Sequence, residues 1–159
     1  MKMVTVDVQV ACDERGIPSA ADIHNWIEAA VMQSGRLTKE NAEVAVRVVD
    51  AVEIQTLNRR YREQDKPTNV LSFPADGVSG LPDDASQLLG DVVVCASIVS
   101  TEAAEQGKAL ADHWGHMLVH GTLHLLGFDH GTDVEALEME HLETKILASQ
   151  NVTNPYSES

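Results

Sequence analysis

The run His113-Trp-Gly-His116-Met-Leu-Val-His120-Gly-Thr-Leu-His124-Leu-Leu-Gly127-Phe-Asp-His130 decides how the rest of this chain is read. On a helix turning about 100° per residue, His113, His116, His120 and His124 share one stripe roughly 80° wide. The other faces carry Trp114, Met117, Leu118, Val119, Leu123, Leu125 and Leu126, so a helix from about Leu110 to Leu126 is expected to be mostly buried. Buried imidazoles need partners, because an unpaired polar group costs a few kcal/mol. A metal ion is one such partner. His120 and His124, at i and i+4, can reach one ion. Gly127 can take the left-handed conformation that ends a helix, which brings His130 back to the same ion. Three imidazoles suit Zn²⁺, one per chain, with a coordination position left open to reactants, as in catalytic rather than structural sites. The competing reading is a set of core histidines satisfied by hydrogen bonds.

The same spacing, H-x3-H-x2-G-x2-H, is that of the metzincin zinc loop, with one departure. Those proteases place Glu after the first His as general base, and here that position is Gly121, which cannot move a proton. His116, one turn before His120, is expected to be a hydrogen-bonded core histidine, with a role behind the ligands or in proton transfer as the alternative. Asp129 either orients a ligand imidazole or caps the turn. His24 and His141 lie in other helices and are assigned nothing.

Working outward, Met3 to Ala11 alternates, with Val4, Val6, Val8 and Val10 on one face, and predicts a half-buried strand. Ser19 is placed to cap a helix whose stripe is Ile23, Trp26, Ile27, Ala30 and Val31 and which stops at Ser34-Gly35. Val44 to Val49 predicts a second strand. Asp50 is placed to cap a further helix that buries Ile54, Leu57 and Tyr61 and leaves Asn58, Arg59 and Arg62 off that side. Val70 to Phe73 predicts a short strand stopped by Pro74, followed by a loop over Asp76 to Ser86. Leu88 to Ala96 contains a central strand, apolar on both faces. Helices follow from Ile98 to Gln106 and, after the histidine helix, from the capping box Thr132-x-x-Glu135 to about Gln150. In that last helix Met139, Leu142 and Ile146 form the packed face and the acids a solvated one. The expected fold is α/β in the α+β sense. Residues 1–159 form a single domain, with a mixed sheet of about four strands, five or six helices and the metal site at the end of a buried helix.

Composition agrees. At 159 residues the chain can bury a full core without disulfides. Cys12 and Cys95 are too few and too far apart for a disulfide framework, and Cys95 reads as a small core residue. No apolar run approaches the ~20 residues needed to cross a bilayer, the N-terminus does not read as a signal peptide, and the two separated cysteines suggest a reducing, cytosolic setting. The net charge of −14 argues against nucleic acid, but its distribution does not. Residues 36–66 hold seven basic and six acidic residues, whereas the other 128 hold four and nineteen. The one stretch able to face phosphate is therefore the one that is not acidic.

His120 to His130 resembles the signature H-G-x-L-H-L-x-G-[YF]-D-H of the YbeY endoribonucleases. Leu57 to Pro74, Leu89-Gly-Asp-Val-Val-Val94 and the ending Asn154-Pro-Tyr156 are similar to other segments of the same family. Many relatives carry Asp where this chain has Asn69. The resemblance implies a bacterial, cytoplasmic, metal-dependent hydrolase directed at single-stranded RNA. It would act in ribosomal RNA maturation, including the 16S 3′ end, and in ribosome quality control. It makes His120, His124 and His130 zinc ligands and Arg62 a catalytic residue. The implied partners are ribosomal RNA and the small ribosomal subunit, with a ribosomal protein or assembly factor as a further one. A guanidinium suits that role because it donates bidentate hydrogen bonds to phosphate. The bland alternative for Arg62 is a surface ion pair near Glu63 or Asp65. Two rival readings of the whole remain: an assembly or RNA-binding factor stabilised by zinc without catalysis, and a zinc peptidase lacking its Glu.

Overall fold

A computed structural model describes residues 3–37, 40–75 and 87–152. The expected loop over Asp76 to Ser86 and the ending Asn154-Pro-Tyr156 lie outside the described residues. In chain order the elements are β1 (Met3–Val10), α1 (Ala20–Ser34), β2 (Asn41–Val49), α2 (Ala51–Arg62) and β3 (Val70–Pro74). Then come β4 (Gln87–Cys95), α3 (Ala96–Gln106), α4 (Leu110–Leu125) and α5 (Asp133–Ser149). They form one domain around a mixed sheet of order β1-β2-β4-β3. β1 and β2 pair parallel, as do β2 and β4, whereas β3 runs antiparallel to β4 at the edge.

The pleat sends alternate side chains to two cores. Ala42, Val44, Val46 and Val48 of β2, with Val92 and Val94 of β4, meet α1, α4 and α5 in the main core. Val49, Val93 and Cys95 point the other way, toward Leu71 and Ile54, where α2 covers the sheet. β4 is thus buried on both faces, as its continuous apolar run requires. The register shifts between Glu43 and Val44, which face Leu88 and Gly90 and leave Leu89 as the extra residue. Gly90 has φ 131, and a Cβ there would strike the Phe73 carbonyl.

The caps behave as read. Ser19 accepts from Asp22 N at 3.1 Å, Asp50 from Glu53 N at 2.8 Å and Thr132 from Glu135 N at 3.1 Å. Two expectations fail on β1 and α2. Val10 is 54% exposed, because it sits at the end of an edge strand. On α2, Tyr61 is 55% exposed and Asn58 is 4% exposed, the reverse of their assignment. The physical reason is the turn that follows. Asn58 Nδ2 donates to the Lys66 carbonyl at 2.9 Å, and the Asn58 carbonyl accepts from Gln64 N at 3.2 Å. A polar side chain is buried there because it organises the connection to β3, while Tyr61 packs edge-on against Phe73.

Among the described residues no helix is long and apolar enough to cross a membrane.

Candidate metal centre

α4 passes close to β3 and β4, and Gly121 permits the approach. A Cβ on Gly121 would lie 2.8 Å from Val92 Cγ1, 3.2 Å from Ser72 Oγ and 3.3 Å from Val70 Cγ2. Ser72 Oγ donates to the Gly121 carbonyl at 2.8 Å, which ties the helix to the edge strand. A glycine inside a helix costs about 1 kcal/mol relative to alanine, and here close packing is what it permits. The position where a metzincin carries its general base is therefore filled by the sheet.

The helix then stops as its sequence demands. Gly127 has φ 92, its N–H donates to the His124 carbonyl at 3.0 Å, and Phe128 N donates to the Leu123 carbonyl at 3.1 Å. Arg36 holds this turn from outside. Its Nη1 donates to the Leu126 carbonyl at 2.9 Å, and its guanidinium lies 3.7 Å from the centre of the Phe128 ring. That cation also sits where the helix end is negative. Asp129 accepts from the backbone N–H of His130 at 2.8 Å, so of the two roles considered for it the structure displays the turn-capping one.

The turn returns His130 to α4. One ring nitrogen from each of His120, His124 and His130 falls in a group no more than 4.8 Å across, a set able to hold a metal ion. His120 Nε2 and His124 Nε2 are 3.0 Å apart. Two nitrogens on a tetrahedral zinc with bonds of about 2.05 Å would be about 3.3 Å apart, so the pair is already near the required span. His120 Nδ1 lies 2.6 Å from Glu143 Oε1, and its Nε2 faces His124. Burial lowers the pKa of His124, and the neighbouring His120 and His130 push the same way, against a backbone hydrogen bond with Phe128 and the Asp129 carboxylate. The neutral ring thus favoured is the form that binds a cation. The donor set fits a divalent metal.

These imidazoles line a cavity of about 710 Å³ together with Arg62, Asn69, Ser72, Phe128 and Asp129. Arg62, the last residue of α2, donates from Nη2 to the Ser72 carbonyl at 2.6 Å and lies 5.3 Å from the Phe73 ring centre. Its guanidinium is exposed and on the wall of the cavity, and among the described residues it makes no surface ion pair of the kind considered for it.

The four-histidine stripe on α4 divides. His113 is buried against Glu102, with Nε2 2.9 Å from Oε1. The same carboxylate accepts from Asn69 Nδ2 at 3.2 Å. His116 is a buried, hydrogen-bonded histidine, with Nε2 3.2 Å from Glu143 Oε2. Glu143 corrects the expectation that the acids of the last helix form a solvated face. It lies at 0% exposure on a stripe with Met139, Ile146 and Leu147. The available signal was an ionisable residue at the i+4 position of an apolar stripe, a placement that requires a buried partner.

Comparison with known proteins adds the decisive observation. The family model for Endoribonuclease YbeY matches residues 9–151. The chain belongs to the YbeY family. It is 53% identical over 141 residues to the Endoribonuclease YbeY of Halorhodospira halophila, covering 89% of each chain. It is 48% identical over 152 residues to that of Psychromonas ingrahamii, covering 95% of this chain and 94% of the relative. The fold is shared with the solution structure of TM1509 from Thermotoga maritima, at TM-score 0.55 and 24% identity over 96% of both chains. The family assignment expected from the His120–His130 block thus holds across most of the length.

Proposed function

We propose that this protein is a cytoplasmic, zinc-dependent endoribonuclease that cuts single-stranded ribosomal RNA, including the 3′ end of 16S rRNA, during ribosome maturation and quality control. The observation that carries the reading is the convergence of three imidazole nitrogens in a cavity that Arg62 also lines. Membership of a family described as endoribonucleases supports the choice of RNA as substrate.

In this reading His120, His124 and His130 hold one Zn²⁺ per chain. When bound, the ion supplies Lewis acidity toward a phosphoryl oxygen. Arg62 binds and orients the scissile phosphate through charge-assisted hydrogen bonds. Its present bond to the Ser72 carbonyl preorganises the guanidinium on the cavity wall. Gly121 and the strand packed on it leave no room for the carboxylate that a zinc peptidase would need there, which disfavours that reading.

The net charge of −14 opposes long-range attraction to RNA. The small ribosomal subunit, or a ribosomal protein or assembly factor bound to it, therefore delivers the substrate. Tight, salt-insensitive binding of naked RNA would contradict this.

The test is a turnover assay on purified protein with defined zinc content. The wild type is expected to cut single-stranded RNA, and His124→Ala to remain folded, bind RNA and cut nothing. If the zinc-loaded wild type leaves free RNA and small-subunit RNA intact, the non-catalytic assembly-factor reading replaces this one.

A further inference from the structure

We infer that Glu143, shared with His116, is the positioning residue of the metal centre, holding His120 in the tautomer whose Nε2 faces the cation. The inference rests on the reading of His120, His124 and His130 as ligands and extends it to two residues that touch no substrate.

The Glu143 side chain is 1% exposed, and a buried carboxylate is costly unless its oxygens are occupied. Both are. Oε1 accepts from His120 Nδ1–H at 2.6 Å, and Oε2 accepts from His116 Nε2–H at 3.2 Å. An imidazole that donates from Nδ1 keeps its lone pair on Nε2, and Nε2 of His120 is the atom 3.0 Å from His124 Nε2. The second bond restrains the first. His116 and His120 are one turn apart on α4, and between them they hold the carboxylate by both oxygens, so it cannot rotate away from His120.

An apolar side chain at 143 would pack with Met139, Ile146 and Leu147 without any desolvation cost, so the main core does not call for this charge. The ring of His120 does. The cation would be oriented from α5 through α4, although α5 contributes no ligand of its own. Loss of such a partner behind a metal-bound imidazole weakens metal affinity by about 10–100-fold.

The test pairs two measurements. Zinc affinity is read by competition with a chromophoric chelator for the wild type and Glu143→Gln, and the protonated nitrogen of His120 is read by ¹⁵N NMR on zinc-free wild type. Glutamine keeps the shape but replaces one acceptor with an N–H₂ and removes the charge. The expected results are a dissociation constant for zinc about 10–100-fold weaker in a folded Glu143→Gln protein, and His120 protonated at Nδ1 in the wild type. A folded Glu143→Gln that binds zinc within about twofold of the wild type overturns the inference, as does His120 protonated at Nε2. Should Glu143→Gln fail to fold, the tautomer in the wild type decides the matter alone. A wild type that binds no zinc overturns the ligand reading itself, a result distinct from unchanged affinity in the variant.

Discussion

The two ends of α4 use the same residue type for opposite purposes. At the first turn His113 is sealed in the interior and its Nε2 meets the Glu102 carboxylate at 2.9 Å. At the last turn His124 meets two other imidazoles on the wall of a cavity. Burial lowers the pKa of both rings. At His113 the carboxylate of Glu102 opposes the shift, while at His124 the neighbouring histidines reinforce it. The contrast teaches that a histidine stripe is not one site. What faces each ring decides whether it is a structural polar group or a candidate ligand.

Exchanging the two ends gives the largest expected effect. His124→Ala should weaken zinc binding by more than about 100-fold, beyond the loss expected for an outer partner. His113→Ala should leave zinc affinity within a few-fold and appear instead as a lower denaturation midpoint. Mass spectrometry of the native proteins and chelator competition separate these outcomes. Equal loss at both positions would erase the distinction.

Arg62→Ala sharpens it from the substrate side. Removing a hydrogen bond to a charged group costs about 1.5–3 kcal/mol, which corresponds to about 10–150-fold in cleavage rate. Zinc content should be unchanged. Arg62→Lys should recover only part of the rate, since an ammonium lacks the planar fork.

Gly121→Ala probes the packing that places the cavity against β3. Its methyl group would press on Val92 and Ser72 and should destabilise the fold by about 1–3 kcal/mol, read from urea unfolding. A neutral or stabilising result would mean that α4 can shift away from the sheet at no cost.

The smallest effect is on pH. With the folded-state pKa of His113 below its ordinary value of 6.5, the unfolded chain binds the proton more readily. Its contribution to stability is complete above that value and declines as pH falls below it toward the folded pKa. His113→Gln should flatten this part of the stability curve measured in zinc-free protein. Zinc binding should weaken in the same direction, because protons compete for the ligand nitrogens.

Much of this was legible in the chain. Periodicity is a local property, so the apolar stripes of α1 and α4, the two-sided burial of β4 and the caps at Ser19, Asp50 and Thr132 could be read without coordinates. So could the convergence of His120, His124 and His130, since the helix repeat and one glycine turn determine it. Tyr61 and Asn58 were misassigned because hydrophobicity ranks tyrosine inside, whereas the turn after α2 needs a buried amide. Glu143 escaped for a related reason: as an acid in an acidic helix it resembled a solvated residue.

The amino-acid order by itself determined most of the elements and the candidate metal-binding set, because each is carried by residues within a few turns of one another, and it determined the family through several such local blocks. Only the tertiary structure decided which carboxylate each histidine meets, that Arg62 shares their cavity, and that the sheet fills the space beside Gly121. Those contacts join α4 to α3, α5 and β3, and Arg62 of α2 lines the same cavity; all are residues distant along the chain whose meeting depends on how whole elements pack.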